Sequence, residues 1–204
     1  MIEIIYSRIT ESPTEEDIKK QLKALPRRFY EKNHAYVEAI LTRGRRASVY
    51  QSIVGLRLLS ILTNREELPP LARNEFGRPF FDGAASPVFS ISHTNGLVVC
   101  SIIRNNTSMI GVDCEKLYTK NPTLLAERFF APCERKYIIR SDDTAMAFTE
   151  IWTKKEAYIK LLGKGLSVPL SSFDVMSDMH IGFETFIIDD VVVSVCTERE
   201  QFHV

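Results

Sequence analysis

The sequence of 204 residues lacks the features that mark membrane, secreted and zinc-binding proteins. Its longest apolar run is far shorter than the roughly 18 residues that span a bilayer, and its N-terminus has no basic stretch before an apolar one, as a secretory signal would. The four cysteines, Cys100, Cys114, Cys133 and Cys196, are scattered and form no CxxC pair. Neither a zinc site nor a disulfide scaffold is therefore indicated. We expect a cytoplasmic protein with reduced, buried cysteines and no contact with membranes.

The sequence also lacks an excess of charge of either sign, because 26 Lys and Arg residues balance 26 Asp and Glu residues. The charge is unevenly spread, however: residues 19–57 hold ten basic residues against two acids, a local charge of +8 that the remainder offsets. Nucleic-acid-binding domains are usually basic as a whole, so we expect no nucleic acid partner. A basic segment beside an acidic remainder suits a phosphorylated small molecule or an acidic protein. A solvated helix face is the alternative.

Helical and strand patterns are mixed in both halves of the chain, which predicts the α+β class. No low-complexity linker and no clear internal repeat separates or relates the halves. The predicted strands are 2–9, 87–93, 97–104, 109–115, 172–176, 184–189 and 191–196, and the predicted helices are 14–25, 27–41, 45–62, 121–130 and 145–162.

The segment GVDCE (111–115) has a strand pattern that places Asp113 and Glu115 on one face, because side chains alternate along a strand. Val112 and Cys114 then face the core. Two carboxylates this close raise each other's pKa unless a cation lies between them. Mg²⁺ favours a few carboxylates together with waters and phosphate oxygens. The segment therefore suits a magnesium site, and an exposed strand end with two solvated acids is the alternative.

Two other segments offer donors for phosphate. In FSISHT (89–94), Ser92 and His93 supply a hydroxyl and an imidazole where the chain leaves a strand, although an ordinary turn histidine fits as well. A Ser–His–Asp hydrolase is not indicated, because no GxSxG elbow occurs and adjacent side chains diverge in a strand. In NEFGRP (74–79), Arg78 offers a guanidinium fork that matches phosphate geometry.

The segment WTKKEAYIKLLGKGL (152–166) places Trp152, Glu156 and Lys160 along one face of a helix. A solvated Glu–Lys pair would contribute only about 0.3–0.5 kcal/mol. The tryptophan indicates that this face is partly buried, where an ion pair needs a further reason to exist. A metal with phosphate supplies that reason, with Glu156 toward the cation and Lys155 and Lys160 toward phosphate oxygens. An amphipathic helix with an ordinary salt bridge is the alternative.

In this order along the chain, NEFGRP, FSISHT, GVDCE and WTKKEAYIKLLGKGL resemble the motifs of the 4′-phosphopantetheinyl transferases of the single-chain, surfactin-synthetase-activating type. The resemblance extends from the basic helices near residue 27 to about residue 175. It implies an α+β fold of two similar lobes related by a pseudo-twofold axis, residues 1–105 and residues 106–204, with the metal site in the second lobe. It also implies transfer of the 4′-phosphopantetheine group of coenzyme A to a serine of an apo acyl, peptidyl or aryl carrier protein, which releases adenosine 3′,5′-bisphosphate.

The resemblance implies roles for four residues of the second half. Asp113, Glu115 and Glu156 would hold Mg²⁺ on the pyrophosphate, and Glu156 could also take the proton of the incoming serine, directly or through water. Lys160 would steady the phosphate where charge develops, which is the electrostatic contribution that dominates phosphoryl transfer.

The resemblance also implies contacts with coenzyme A, which would come from Arg45, Arg46, Arg78, Ser92, His93, Lys155 and Lys160. Arg45 or Arg46 is the first choice for the 3′-phosphate, with Arg27 and Arg28 as alternatives. An acidic carrier protein would meet the rest of the basic segment. A monomer would suffice, because both lobes belong to one chain.

Two other functions stay open at this point. One is a module that binds coenzyme A or a carrier protein without transfer, although a pure binder has no need for the three acids together with Lys160. The other is a different Mg²⁺ enzyme that acts on a nucleotide, such as a phosphohydrolase. Formation of adenosine 3′,5′-bisphosphate only in the presence of carrier protein would separate transfer from hydrolysis.

Overall fold

The computed structural model describes residues 1–42, 44–63, 68–83, 87–104, 108–177 and 180–198, apart from the side chain of Leu166. The chain divides into two compact units, Met1–Ser108 and Met109–Val204. Each unit mixes helices with antiparallel strands, so the predicted α+β class is confirmed. The predicted boundary between residues 105 and 106 lies outside the described residues.

The first unit is built around an antiparallel sheet on which one long helix packs. Its helices are α1 (Glu15–Lys23), α2 (Arg27–Lys32), α3 (His34–Leu41) and α4 (Arg46–Leu62), and its strands are β1 (Ile2–Arg8), β2 (Leu71–Arg73), β3 (Pro79–Phe81), β4 (Val88–Thr94) and β5 (Leu97–Ile103). The sheet has the order β1-β5-β4, and β2 pairs with β3 in a separate ribbon. Helix α4 packs on all three strands of the sheet.

Local sequence signals account for the ends of several of these elements. Thr14 caps α1 by accepting from the amide of Asp17, whose carboxylate in turn accepts from the amide of Thr14. The β4–β5 hairpin closes through Asn95 and Gly96, with Gly96 at φ 90°, a conformation that glycine adopts without a steric penalty. Helix α4 forms because its apolar residues recur at helical spacing, and Ile53 and Leu59 on it are fully buried.

The structure corrects three predictions of local structure. The helix predicted at 27–41 is interrupted at Asn33, whose buried side chain donates to the carbonyl of Phe29 and accepts from the amide of Leu71. Strands β2 and β3, which were absent from the predicted elements, flank a turn at residues 74–78. The strand predicted at 172–176 is wrong, since this stretch begins with a 3₁₀ turn and continues without strand pairing.

The second unit has its own helices and sheet. Its helices are α5 (Pro122–Phe129), α6 (Pro132–Arg140) and α7 (Thr144–Leu162), and its strands are β6 (Ile110–Lys116), β7 (Ile181–Ile188) and β8 (Val191–Glu198). The sheet is antiparallel with the order β6-β8-β7, and α7 packs on β6 and β8. Helix α6 was not predicted from the sequence. Gly163 ends α7 in the left-handed conformation at φ 67°, which is common for a glycine after the last turn of a helix.

The two units share one topology. In each, the first strand of the unit pairs with the last strand, which also pairs with the strand before it in a hairpin. In each, one long helix precedes the hairpin along the chain and packs on the sheet. This repeat of topology was not visible in the residues. Each unit also has apolar clusters of its own. Among the described helices, none combines the length and hydropathy needed to cross a bilayer.

Candidate functional site

The candidate site of the second unit lies where β6 and α7 meet, and a glycine sets their separation. A Cβ atom on Gly111 would lie 1.9 Å from the carbonyl oxygen of Ala157 and 2.6 Å from the amide nitrogen of Leu161. Only glycine therefore permits the backbones of β6 and α7 to approach this closely. Asp113 lies two residues further along β6, so it shares the face of Gly111 that turns toward α7. The glycine of GVDCE is thus as much a part of the site as its acids.

The carboxylate of Asp113 is buried and contacts Lys160 of α7. Lys160 Nζ on α7 donates to Asp113 Oδ1 at 2.7 Å. Asp113 is only 4% exposed. Removing water from both charges costs free energy that their attraction offsets only when the geometry is good. The structure therefore brings together two of the predicted site residues that lie 47 positions apart in the sequence.

Glu156 lies one turn before Lys160 on α7 and completes a cluster of two acids and one base. Burial raises the pKa of Glu156 above its ordinary value of 4.5, the nearby charge of Asp113 raises it further, and Lys160 opposes both effects. Burial penalises the charged form of a carboxyl group, and a second carboxylate nearby does the same. A carboxyl group with a raised pKa is better suited to accept a proton near neutral pH than an ordinary glutamate.

The acidic side chains of this cluster are of the type that binds Mg²⁺, but in the structure they are not arranged as a metal-binding group. Two carboxylates that repel one another are the ligands that a hard divalent cation favours, and Glu115 lies on the same strand face as Asp113. In the part of the chain that the structure describes, no three His, Cys, Asp or Glu side chains converge as a metal-binding group. The ammonium of Lys160 supplies the positive charge beside Asp113. The three-carboxylate metal site stays a prediction.

A cavity of about 250 Å³ adjoins the cluster on the side of Glu115. Leu125 of α5 and Phe148 and Trp152 of α7 supply apolar walls, and Glu115 and Lys116 of β6 supply polar ones. Trp152 stacks on Phe148 with ring centroids 5.9 Å apart and is half-buried, which confirms the prediction that this face of α7 is partly buried. The sequence did not predict the cavity itself, because its walls come from three separate elements.

Lys155, which was predicted to contact a phosphate, lies in the interior of the second unit instead. Its side chain is 0% exposed, and its ammonium lies 2.8 Å from the carboxylate of Glu134, which is equally buried. Burial lowers the pKa of Lys155, and Glu134 partly restores it. This environment corrects the predicted role, because the ammonium is directed away from the solvent-facing part of α7. The sequence did not predict this pair, because Glu134 and Lys155 belong to different helices, α6 and α7.

The predicted arginine contacts lie in the first unit. Arg45 is the N-cap residue of α4 and Arg46 is its first residue, and both are exposed. Arg46 forms a surface ion pair with Glu15 at 3.8 Å. Arg78 follows a tight turn in which the side chain of Asn74 accepts from the amides of Phe76 and Arg78. Burial lowers the pKa of the Arg78 guanidinium, a group that is charged at any ordinary pH. Arg45 and Arg46 thus lie at the start of α4, whereas Arg78 lies just before β3.

Ser92 and His93 lie near the end of β4 and point to opposite sides of it. Ser92 is buried, whereas His93 is exposed, which confirms that adjacent side chains diverge here. The buried side chain of Gln51 on α4 donates to the carbonyl of Thr94 at 3.2 Å and so ties the end of β4 to the long helix of the unit. Ser92 and His93 cannot form a nucleophile–base pair in this arrangement.

The cysteine prediction is confirmed at three of the four positions. Cys100, Cys114 and Cys196 are buried free thiols inside strands, and burial raises the pKa of Cys100 and Cys196. Cys133 differs, since it is exposed and donates to the carboxylate of Asp174 at 2.7 Å.

Sequence comparison with known proteins identifies relatives of this chain. A sequence model of the 4′-phosphopantetheinyl transferase superfamily matches residues 109–203, which include β6, α7 and the whole candidate cluster. The match therefore covers the second unit rather than the first.

Individual relatives carry the same description. A 4′-phosphopantetheinyl transferase of Bacillus subtilis is 36% identical over 54% of this chain and 49% of its own length. The 4′-phosphopantetheinyl transferase gsp of Aneurinibacillus migulanus is 34% identical over 70% of this chain and 59% of its own length. The 4′-phosphopantetheinyl transferase Sfp of Bacillus subtilis strain 168 is 38% identical over 50% of this chain and 44% of its own length. The chain spans about half the length of the curated relatives it matches.

Proposed function

The chain belongs, through residues 109–203, to the 4′-phosphopantetheinyl transferase superfamily, and from this membership we propose that it transfers the 4′-phosphopantetheine group of coenzyme A to a serine of an apo carrier protein. Relatives at 34–38% identity are named as 4′-phosphopantetheinyl transferases. The second product of the proposed reaction is adenosine 3′,5′-bisphosphate.

The observation that supports this proposal most directly is the cluster of Asp113, Glu156 and Lys160. The three side chains come from β6 and α7, which Gly111 allows to lie in close contact. A buried carboxylate paired with a partly exposed lysine, next to a carboxyl group of raised pKa, is an arrangement that clusters at functional sites. The cluster lies within the matched residues, so family membership and local chemistry point to the same place.

The proposed chemistry is a phosphoryl-type transfer in which the protein positions reactants and stabilises charge. The serine oxygen of the carrier forms a bond to the phosphorus next to pantetheine, and the bond from that phosphorus to the bridging oxygen breaks. The electron pair leaves with adenosine 3′,5′-bisphosphate, and the serine proton moves to Glu156, directly or through water. Its raised pKa favours this acceptance. Lys160, the basic member of the cluster, stabilises the negative charge that develops on the phosphate oxygens.

We propose Mg²⁺ as the resident cofactor, held by Asp113, Glu115 and Glu156. The ion would supply positive charge for the pyrophosphate of coenzyme A. Asp113 would then share its carboxylate between the ion and Lys160, whose ammonium would also be available to the phosphate. The mutual repulsion of the carboxyl groups of Asp113 and Glu156 is the observation that favours a divalent cation at this place.

We further propose that Arg78, Ser92 and His93 contact the phosphates of coenzyme A, and that Arg45 or Arg46 takes the 3′-phosphate. Arg45 and Arg46 stand at the N-terminal end of α4, and no acidic residue occupies the first turn of that helix. Cations are unfavourable at a helix N-terminus, where the dipole favours anions. A bound phosphate would remove this conflict.

The partner proposed for the enzyme is an acidic acyl, peptidyl or aryl carrier protein, and the proposed site of action is the cytoplasm. The basic segment 19–57 provides a surface of the complementary sign. We propose that the protein acts as a monomer.

The reaction is tested by incubating the protein with coenzyme A, Mg²⁺ and several apo carrier proteins and weighing each carrier by mass spectrometry. We expect an adduct of phosphopantetheine on at least one carrier and one equivalent of adenosine 3′,5′-bisphosphate. A parallel sample with chelator should give no adduct, and restoring Mg²⁺ should restore it.

Two variants connect the reaction with the cluster. Asp113→Ala and Glu156→Ala should each abolish turnover, while circular dichroism stays that of the wild type. Release of adenosine 3′,5′-bisphosphate without carrier would instead indicate a hydrolase. Binding of coenzyme A without any adduct on any carrier would overturn transfer and indicate a binding module.

A further inference from the structure

The second unit contains an ion pair that is entirely withdrawn from water. Lys155 of α7 and Glu134 of α6 are both 0% exposed, and Lys155 Nζ lies 2.8 Å from Glu134 Oε2. The ammonium also lies 4.2 Å from the ring centroid of Phe173, on whose face a cation is attracted. Charged residues are rarely buried this completely, and those that are have complete sets of partners.

The hydrogen bonds of this pair are complete on both sides. Besides Glu134, the ammonium of Lys155 donates to the carbonyls of Leu170 and Phe173, each at 2.7 Å, so its three donors are used. The carboxylate of Glu134 accepts from the amide of Ala131 at 2.8 Å and from the amide of Val175 at 2.9 Å. Four of these partners are backbone groups, whose positions follow the fold rather than a side-chain rotamer. The pair therefore connects α7 to α6 and its N-cap residue and to residues 170–175.

A buried ion pair of this kind is a directional connection rather than a source of stability. Well-packed apolar residues of similar volume often stabilise a protein as much or more. An apolar contact, however, would allow α7 to slide or rotate slightly, whereas three hydrogen bonds to fixed acceptors do not. Burying two charges makes folding less favourable. The benefit of the pair therefore lies in fixing the position of α7 rather than in stability.

The residue next to Lys155 is Glu156, the proposed proton acceptor. Because successive residues of a helix are held about 100° apart around its axis, any rotation of α7 that moves Lys155 moves Glu156 as well. The opposite side of α7 is held independently, since Thr153 Oγ1 lies 2.8 Å from Ser194 Oγ on β8 and Ala157 packs on Gly111. Glu156 thus lies between two connections that together define its position.

We propose that Lys155 and Glu134 are positioning residues for the reaction, which act by holding α7 in the rotation that places Glu156 beside Asp113. This inference rests on the proposed function, and it replaces the phosphate contact expected of Lys155. It predicts that loss of the pair affects the chemical step and leaves the affinity for coenzyme A largely intact. A misplacement of about 1 Å at a reacting group can cost about 10²-fold in rate.

The test compares Lys155→Met with Lys154→Met, which removes the neighbouring lysine of the same helix. Lys154 is partly exposed and pairs with Glu150 on the helix surface, so it is a matched control. Both variants are assayed at saturating carrier protein and below their unfolding midpoints, with the folded fraction measured by circular dichroism. We expect Lys155→Met to lower kcat at least about 10-fold, with KM for coenzyme A within about 3-fold of the wild type. Lys154→Met should change neither quantity more than about 2-fold.

A second measurement does not depend on turnover. Hydrogen exchange of the α7 amides around Glu156 should be faster in Lys155→Met than in the wild type and unchanged in Lys154→Met. If Lys155→Met does not fold, Glu134→Asp keeps the charge with a side chain one methylene shorter. It should give a smaller loss of kcat and the same direction of change in exchange.

Each outcome decides for or against the positioning role. A wild-type kcat per folded molecule in Lys155→Met, or in Glu134→Asp where that variant stands in, would show that the pair only stabilises the fold. A raised KM for coenzyme A at unchanged kcat would return Lys155 to the phosphate contact predicted from the sequence. If the wild type transfers nothing, the proposed function fails, and unchanged exchange in the variants would then overturn the positioning role separately.

Discussion

At the scale of single residues, the environment of Glu156 decides what its carboxyl group can do. The same residue on a solvated helix would form an ordinary salt bridge with Lys160 and keep an ordinary pKa. Burial and the carboxylate of Asp113 raise that pKa instead, against the opposing effect of Lys160. The charged form of Glu156 is therefore unfavourable in the folded protein without a metal, and this has a consequence for stability that can be measured.

Glu156→Gln should make the metal-free protein more stable at neutral pH and leave its stability nearly unchanged in acid. Because the folded-state pKa is raised above 4.5, the folded protein holds the proton more tightly than the unfolded chain. The destabilisation by Glu156 is thus absent below pH 4.5, grows between pH 4.5 and the raised pKa of the folded state, and is constant above that pKa. Thermal unfolding of both proteins across this range, in the presence of chelator, measures the difference.

The control for this experiment is Glu184→Gln, at an exposed position of β7. Its stability should follow that of the wild type at every pH. A Glu156→Gln variant that is less stable than the wild type at neutral pH would mean that the charged carboxylate stabilises the fold.

At the scale of elements, the contact of β6 with α7 is what makes a site out of two segments. The contact is close because Gly111 has no side chain and Ala157 has a small one, so the strand lies directly against the helix backbone. Asp113 on the strand then reaches Lys160 on the helix at hydrogen-bonding distance. If β6 and α7 lay further apart, the acids of β6 and Glu156 would be too distant to bind one and the same ion.

Gly111→Ala should lower the free energy of unfolding by about 3 kcal/mol, at the upper end of the usual range for overpacking. The added Cβ would lie 1.9 Å from a backbone oxygen, which no side-chain rotation can relieve. Activity should fall as well, since β6 and α7 must separate. Denaturant unfolding measures the first effect and the carrier assay the second.

Gly44→Ala is the matched control, because a Cβ there would meet no atom within 4 Å. Its free energy of unfolding should stay within about 0.5 kcal/mol of the wild type. Equal losses in the two variants would contradict the role assigned to Gly111.

At the scale of the whole molecule, two units of the same topology carry different chemistry. Both place a long helix on a three-stranded antiparallel sheet. In the second unit the long helix presents Glu156 and Lys160 beside the acid of β6, whereas the long helix of the first unit begins at Arg46, directly after Arg45. The chain has a net charge of zero because the basic segment 19–57 of the first unit is balanced by the acidic remainder.

This charge distribution predicts that binding of an acidic carrier protein weakens with salt. The screening length falls from about 10 Å at 0.1 M salt to about 3 Å at 1 M, so attraction between complementary surfaces is largely lost. KM for the carrier should rise several-fold over this range at saturating coenzyme A. Lys23→Glu, at an exposed position of the segment, should raise KM at low salt and reduce the salt effect. A KM that does not depend on salt would place carrier docking elsewhere.

The fold was predictable where the signal is local. The capping box of Thr14, the turn at Asn95 and Gly96, and the glycine that ends α7 each involve residues within a few positions of one another. Predictions failed where a distant residue intervenes. Asn33 interrupts a helical pattern because its side chain binds the amide of Leu71, and nothing near Asn33 in the sequence indicates that partner.

The candidate site, too, was predictable from local relations in the sequence but not from contacts between distant elements. By itself, the sequence determined that Asp113 and Glu115 share a strand face and that Glu156 and Lys160 share a helix face, because these relations follow from the repeat of the backbone. Only the tertiary structure decided between Lys154 and Lys155, adjacent residues of one type. One pairs on the helix surface and the other is buried against Glu134. The choice depends on which side of α7 turns toward α6, and that is set by packing between elements far apart in the chain.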